Sequence, residues 1–143
     1  MSHITASQFK DRFAALILGG RDLPKKRFDR HILFISATLG LHPHRQYSES
    51  ELNGELQEWS TLFGGNFGLD YVSLRRYLVD EQYIRRDSAG RSYELVTTDL
   101  PCTFDRSIER LDLEELITEA RKARELKKQQ HMKKSEGSAS PKT

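Results

Sequence analysis

The chain has 143 residues, of which 31% are charged and 36% hydrophobic, so we expect one modest core with extensions. No apolar run approaches the roughly 20 residues that span a bilayer, and no basic-then-apolar signal segment opens the chain, so no membrane partner is expected. A single cysteine, Cys102, excludes an internal disulfide and suits a reducing cytoplasm, which is the expected location.

The net charge of +2 combines two unlike parts of the chain. Residues 1–120 hold 15 Lys and Arg against 19 Asp and Glu, whereas residues 121–143 hold 8 against 2. A uniformly basic face, which dominates nonspecific nucleic-acid binding, is therefore not expected on the main body. Contacts with nucleic acid would have to come from local patches or from the basic end.

An amphipathic helix is predicted in the N-terminal segment, residues 1–21. Thr5 and Gln8 have the spacing of a capping box, and apolar residues follow at helical intervals. These apolar positions are Phe9, Phe13, Leu16 and Ile17. Because so short a helix is marginal alone, we expect it to pack on the main domain or on a second copy of the chain.

A second helix is predicted after Pro24, a residue that suits the first turn of a helix. The core stripe expected on it is Phe28, Ile32, Ile35 and Leu39. Its first turns are rich in basic residues, which oppose the helix dipole. This conflict indicates either a contact with phosphate or an ordinary solvated helix start.

A polar loop is expected at His42 and His44, because no Cys or third His lies near enough in sequence to complete a metal site. Ser48 and Glu51 then form a full capping box, which predicts a helix that ends at about Trp59.

Residues 60–69, STLFGGNFGL, form a glycine-rich connection to the next helix. This segment lacks the Gly-Lys-Ser/Thr ending and the preceding strand of a phosphate-binding loop. We expect Phe63 and Phe67 to enter the core while the glycines turn the chain, with a functional surface loop as the alternative.

The stretch from residue 70 to residue 96 predicts a helix that leads directly into a two-stranded hairpin. Tyr71, Leu74 and Leu78 share one helical face. Farther on, the apolar period changes from 3.6 to 2, and turn residues occupy positions 87–90. Such a helix with an outward arginine, followed by a hairpin rich in arginine, is typical of a winged helix-turn-helix.

Beyond the hairpin, we expect an irregular linker at residues 97–111, a helix at 112–134 and a disordered tail at 135–143. The helix is strongly basic, which indicates either a nucleic-acid anchor or a solvated helix end. The residues of the expected anchor are Arg121, Lys122, Arg124, Lys127, Lys128, Lys133 and Lys134.

Together these elements predict an α+β, mostly helical fold. Its centre is a winged helix-turn-helix domain at residues 22–96. An N-terminal helix and a C-terminal helical basic tail are added to this domain.

Several segments resemble a family of bacterial domains of unknown function, which are sometimes attached to transcriptional regulators. The segments are Leu23–Arg27 (LPKKR), Tyr47–Asn53 (YSESELN), Asp70–Asp80 (DYVSLRRYLVD), Arg86 and Gly90–Tyr93 (GRSY). The similarity spans residues 22–95. This chain has Leu69 where the family commonly has a histidine, and its connection before Asp70 is longer. The resemblance implies a winged-helix fold and a regulatory context.

The leading hypothesis is a DNA-binding transcriptional regulator that needs no cofactor or metal. In this hypothesis, the helix from Asp70 enters the major groove, while the hairpin and the start of the second helix contact the DNA backbone. The residues expected at the interface are Lys25, Lys26, Arg27, Ser73, Arg76, Tyr77, Arg85, Arg86 and Arg91.

Two other functions stay open at this point. An RNA- or ribosome-associated factor would use the basic tail as its anchor. A protein-interaction module would use the first and last helices to form a homodimer or to bind a partner protein. An enzyme is not expected, because the chain has no Ser/His/Asp order, no Cys/His pair and no evident set of metal ligands.

Overall fold

The structure, a computed structural model, describes residues 2–100 and 102–139; the side chains of residue 2 and of residues 133–139 are not among those described. The chain divides into two compact units, Met1–Leu111 and Asp112–Thr143. The first unit is α+β and mostly helical. Its helices are α1 (Ala6–Gly19), α2 (Arg27–Thr38), α3 (Glu49–Trp59) and α4 (Tyr71–Asp80). Its strands are β1 (Ser2–Ile4), β2 (Tyr47–Ser48), β3 (Ile84–Arg86), β4 (Ser92–Leu95) and β5 (Cys102–Phe104).

Both predicted capping boxes are confirmed. In α1, the Thr5 hydroxyl accepts the Gln8 backbone N–H at 3.1 Å, and the Gln8 side chain accepts the Thr5 N–H at 2.9 Å. In α3, Ser48 and Glu51 make the same exchange at 3.1 and 3.0 Å. The pKa of the Glu51 carboxyl lies below its usual value, mainly because the Ser48 N–H donates to it and, to a smaller extent, because the Arg45 side chain does. Each box satisfies donors that the first turn of a helix would otherwise leave unpaired.

Replacing Ser48 with alanine is expected to lower the free energy of unfolding by about 1 kcal/mol, because it removes the cap of α3. Urea denaturation followed by circular dichroism measures the change. Ser50→Ala is the matched control, since Ser50 is exposed in the same helix and caps nothing. Equal losses in the two variants would show that the capping box does not stabilise α3.

Helix α2 lies at the centre of the core. Of the predicted stripe, Ile32 and Ile35 are buried, whereas Phe28 and Leu39 are only partly buried. The buried surface is wider than the stripe, since every residue from His31 to Thr38 is buried. Phe34 stacks on Tyr77 of α4 with ring centroids 5.7 Å apart, and Ser36 accepts the Trp59 indole N–H at 2.9 Å. α2 is therefore surrounded by its neighbours rather than packed by one face.

The predicted helix and hairpin after residue 70 are confirmed. Strands β3 and β4 pair antiparallel, and β4 also pairs antiparallel with β2, which gives the strand order β2-β4-β3. The hairpin turn contains Gly90 at φ +71°, a left-handed conformation that glycine adopts without steric cost. The order of elements from α2 to β4 is helix, strand, helix, helix, strand, strand.

The glycine-rich connection is largely helical. A π-helical turn at Ser60–Gly64 and a 3-10 turn at Gly65–Phe67 continue from α3. Phe63 and Phe67 are buried, as expected. A Cβ on Gly64 would lie 2.6 Å from the Leu69 carbonyl oxygen, so this close approach requires glycine.

A two-stranded parallel sheet, which the sequence does not predict, joins the N-terminal segment to the expected irregular linker. β1 pairs with β5, with Ser2 opposite Cys102 and Ile4 opposite Phe104. A 3-10 helix at Arg106–Arg110 follows β5. The segment after the hairpin therefore contains a strand and a helical turn in addition to loops.

The second unit contains one helix, α5 (Leu113–Ala139), among its described residues. The Asp112 side chain caps it by accepting the Glu115 N–H at 3.1 Å. The helix extends past residue 134, where the sequence predicts its end. Residues 140–143 of the expected disordered tail lie outside the described residues. Within residues 2–100 and 102–139, no helix combines the length and the apolar character needed to cross a membrane.

Candidate nucleic-acid interface

Helix α4 presents one buried and one exposed side. Leu74 and Leu78 are fully buried, whereas Arg76 and Asp80 are exposed. Asp70 caps the helix by accepting the Ser73 N–H at 2.7 Å, and this bond holds the pKa of the Asp70 carboxyl below its usual value. The cap and the two leucines fix the direction in which Arg76 points.

The hairpin carries three exposed arginines. Arg85 lies opposite Glu94, and Arg86 lies opposite Tyr93, so these neighbouring arginines occupy opposite faces of the sheet. Arg91 follows the turn.

Asp87 organises the hairpin turn. Its carboxylate accepts the Arg91 backbone N–H at 2.6 Å, and this bond is the main reason that the pKa of the Asp87 carboxyl is lowered. The turn thus presents its arginines on a hydrogen-bonded frame.

A shallow cleft of about 310 Å³ lies between α4, the hairpin and the start of α3. We name it the arginine cleft. Its lining residues are Glu49, Val72, Arg75, Arg76, Val79, Asp80, Arg86 and Tyr93.

Two guanidinium groups of the arginine cleft lie near the same tyrosine ring. Arg75 and Arg86 each lie 5.9 Å from the centre of the Tyr93 ring. Arg75 is further held by Asn53, at 2.5 Å, and by Glu49, at 3.5 Å. The cleft therefore holds guanidinium groups in defined places, a geometry that suits phosphate oxygens.

Several arginines at this surface form no close ion pair in the described part of the chain, although the charge of Arg76 contributes to the lowered pKa of the Asp70 carboxyl. Among the residues described, no ion pair within 4.0 Å involves Arg76, Arg85, Arg86 or Arg91. Glu49 and Asp80 nevertheless place two carboxylates among the three arginines of the cleft. The cleft is thus only weakly positive as a whole, and its free cations are Arg76 and Arg86.

The other predicted interface residues are placed less uniformly. Tyr77 is half-buried, stacks on Phe34 and lies 5.4 Å from the Arg30 guanidinium, so its ring is used in packing. Lys25, Lys26 and Arg27 are exposed at the start of α2, and none of them lines the arginine cleft. Ser73 is half-buried in the first turn of α4.

Arg75, Glu49 and Tyr93 were not among the predicted site residues. Arg75 adjoins Arg76 in sequence, but its neighbours in space come from α3 and β4. The packing of α3 on α4 and the pairing of β2 with β4 bring the start of α3 to this surface. Both contacts join segments that lie far apart in the sequence.

A buried hydrogen bond between His31 and Tyr83 lies beneath the start of the hairpin. Arg27 Nε donates to His31 Nε2 at 3.4 Å, so the partners assign the neutral tautomer in which Nδ1–H donates to the Tyr83 hydroxyl oxygen. Burial lowers the pKa of His31 below its usual 6.5, and the Arg27 guanidinium lowers it further. Burial also raises the pKa of Tyr83.

The free energy of unfolding is expected to fall as the pH drops below about 6.5, since unfolded His31 then binds a proton that folded His31 does not. Above that pH, His31 is neutral in both the folded and the unfolded chain, so its contribution to the free energy of unfolding no longer changes with pH. Urea denaturation at several pH values between about 5 and 8 measures the slope. His31→Asn should remove most of this dependence of stability on pH, whereas His42→Asn, which replaces an exposed histidine, should leave it unchanged. An unchanged slope in His31→Asn would contradict the assignment.

The basic tail residues with described side chains are fully exposed on α5. Arg121, Arg124 and Lys128 lie at i, i+3 and i+7, so they share one helical face. Lys122 and Lys127 are exposed as well. The side chains of Lys133 and Lys134 lie outside the described part of the structure.

Comparison with known proteins places the chain in a family. No curated protein and no solved structure was found to match it. A family model described as uncharacterised protein conserved in bacteria (DUF2087) matches residues 21–95, which include α2, α3, α4 and the hairpin of the arginine cleft. The chain therefore belongs to the DUF2087 family.

Proposed function

We propose that this protein binds duplex DNA as a winged helix-turn-helix and acts as a regulator of transcription. The order of elements from α2 to β4 supports this assignment, as does the pairing of β2 with β4. In that arrangement α4 is the recognition helix, and the β3–β4 hairpin is the wing.

The observation that carries the proposal is the set of exposed arginines on the recognition helix and the wing that form no ion pair within 4.0 Å among the described residues. Within the described residues, Arg76 belongs to α4, and Arg85, Arg86 and Arg91 belong to the hairpin or its turn. An exposed arginine outside a close ion pair can bind phosphate oxygens without first breaking an interaction with a carboxylate. Four such residues on two adjacent elements fit the backbone of a duplex.

The two elements take different roles. α4 enters the major groove, where Arg76 reaches a base edge or a phosphate, and Ser73 lies on the same half of the helix. The wing arginines contact the phosphates beside that groove. Because Arg75 already pairs with Glu49, it holds Tyr93 and the cleft in place rather than serving as a free cation.

Asp80 opposes this function, and its removal is the most specific local test. Its exposed carboxylate lies in the arginine cleft, where it repels phosphate and competes for nearby guanidinium groups. Asp80→Asn is expected to tighten duplex binding several-fold, by about 1 kcal/mol. The matched control is Asp11→Asn, at an exposed carboxylate of α1. Equal tightening by both substitutions would point to net charge instead of the cleft.

The basic face of α5 is the observation that favours a second candidate, an RNA- or ribosome-associated factor anchored by the tail. A full-length variant with Gln at Arg121, Lys122, Arg124, Lys127 and Lys128 separates the two. Fluorescence anisotropy with a random duplex and with a structured RNA measures its binding. Duplex binding that survives supports the recognition helix and wing, whereas loss of all binding moves the function to α5.

A further inference from the structure

A second cavity, of about 560 Å³, shares no lining residue with the arginine cleft. Its apolar wall includes Leu41, Tyr83, Leu95 and Phe104. The volume lies within the range of about 300–1,000 Å³ that is usual for small-molecule sites. Such sites combine an apolar wall with a few polar groups that orient the ligand.

The polar groups of this cavity include an unpaired cation and an unpaired anion. Arg106 and Glu109 lie three residues apart on a 3-10 helix, in which residues i and i+3 share a face. Both side chains are exposed, and in the described part of the chain neither forms an ion pair with the other or with a third residue. A ligand with a single charge would satisfy one of them and be repelled by the other.

We propose that this cavity binds a free amino acid with a large apolar side chain. The ligand carboxylate accepts hydrogen bonds from the Arg106 guanidinium, and its ammonium group donates to the Glu109 carboxylate. The apolar side chain packs against Leu95 and Phe104. A zwitterion is the ligand class that matches both charges and the apolar wall together.

The two charged groups of the proposed site and one of its apolar contacts come from residues outside the family match. Phe104, Arg106 and Glu109 follow residue 95, where the match ends, whereas Tyr83 and Leu95 lie inside it. Leu95 pairs with Ile84 at the base of the hairpin, and Val96 donates to the Tyr83 carbonyl at 2.9 Å. A bound amino acid therefore contacts the base of the hairpin directly, although its binding does not depend on the proposed DNA function.

Isothermal titration calorimetry of the full chain with three probes tests the ligand class. L-Phenylalanine carries both charges, 3-phenylpropanoate lacks the ammonium group, and 2-phenylethylamine lacks the carboxylate. L-Phenylalanine is expected to bind, and each analogue is expected to bind at least about tenfold more weakly, because each loses a charge-assisted hydrogen bond. Equal affinities for the three probes, or no binding of L-phenylalanine at about 10 mM, would overturn the proposal.

Two matched variants test the site. Arg106→Gln should weaken L-phenylalanine binding at least about tenfold. Arg110→Gln removes an exposed arginine from the same 3-10 helix that does not line the cavity, and it should leave the affinity unchanged. Equal effects of the two substitutions would show that binding occurs elsewhere.

Discussion

Replacing Phe34 with alanine is expected to lower the free energy of unfolding by about 3–5 kcal/mol. Phe34 is fully buried on α2, stacks on Tyr77 of α4, and lies 6.1 Å from the ring of Tyr83 at the start of the hairpin. Its removal leaves a cavity where α2 meets α4 and the start of the hairpin, the two elements of the proposed interface. The free energy of unfolding of such a domain is only about 5–15 kcal/mol, so this substitution would remove a large fraction of its stability.

Urea denaturation followed by circular dichroism measures this change, with Phe34→Leu as the conservative control. Leucine keeps most of the buried volume, so its cost should stay below about 1.5 kcal/mol. A loss of less than about 1 kcal/mol in Phe34→Ala would contradict the central position of this ring in the core.

Replacing Arg76 and Arg86 together with alanine is expected to weaken binding to duplex DNA at least about 30-fold, which corresponds to about 2 kcal/mol. Both guanidinium groups line the arginine cleft, and neither forms an ion pair within 4.0 Å with a described side chain. Arg86 also lies over Tyr93, so the free energy of unfolding should fall by no more than about 1 kcal/mol. The loss of affinity is then separable from a loss of fold.

The matched control removes the same charge from another part of the first unit. Lys10 on α1 and Arg110 on the 3-10 helix are exposed, their elements contact each other, and neither residue lines the arginine cleft. A Lys10→Ala and Arg110→Ala variant should bind DNA within about threefold of the unaltered protein. A double arginine variant that matches this control, or that unfolds, would show that Arg76 and Arg86 do not form the interface.

Local sequence signals predict much of the first unit. The capping boxes at Thr5 and Ser48 act within one helical turn, so the spacing of their residues is sufficient to locate each helix start. The hairpin is equally local, because its turn residues and its alternating strands are adjacent in the chain. The alternation does not account for the exposure of the hairpin arginines, because Arg85 and Arg86 are neighbours on opposite faces and both are exposed.

Pairings between distant segments leave no such signal. β1 and β5 have three residues each, and Ser2 lies opposite Cys102, so neither strand shows a periodic pattern of its own. The contact of Arg75 with Glu49 likewise depends on how α3 and α4 pack. Both cavities draw their walls from distant segments, and their composition becomes visible only in the folded chain.

The burial of every residue from His31 to Thr38 in α2 is another feature that periodicity misses. Ser36 and Thr38 have polar side chains, which are typical of an exposed face, yet both are buried. Their hydroxyls donate to the carbonyls of Leu33 and Ile35 at 2.6 and 2.8 Å, which satisfies them inside the core. Short polar residues can thus line a buried helix face without marking a solvated one.

The salt dependence of duplex DNA binding by the full chain tests the central claim most directly. Four phosphate contacts, from Arg76, Arg85, Arg86 and Arg91, predict a slope of log affinity against log salt of about −3.6, and the double arginine variant should reduce its magnitude by about 1.8. A slope near zero, or one that the arginine substitutions leave unchanged, would contradict binding through α4 and the hairpin.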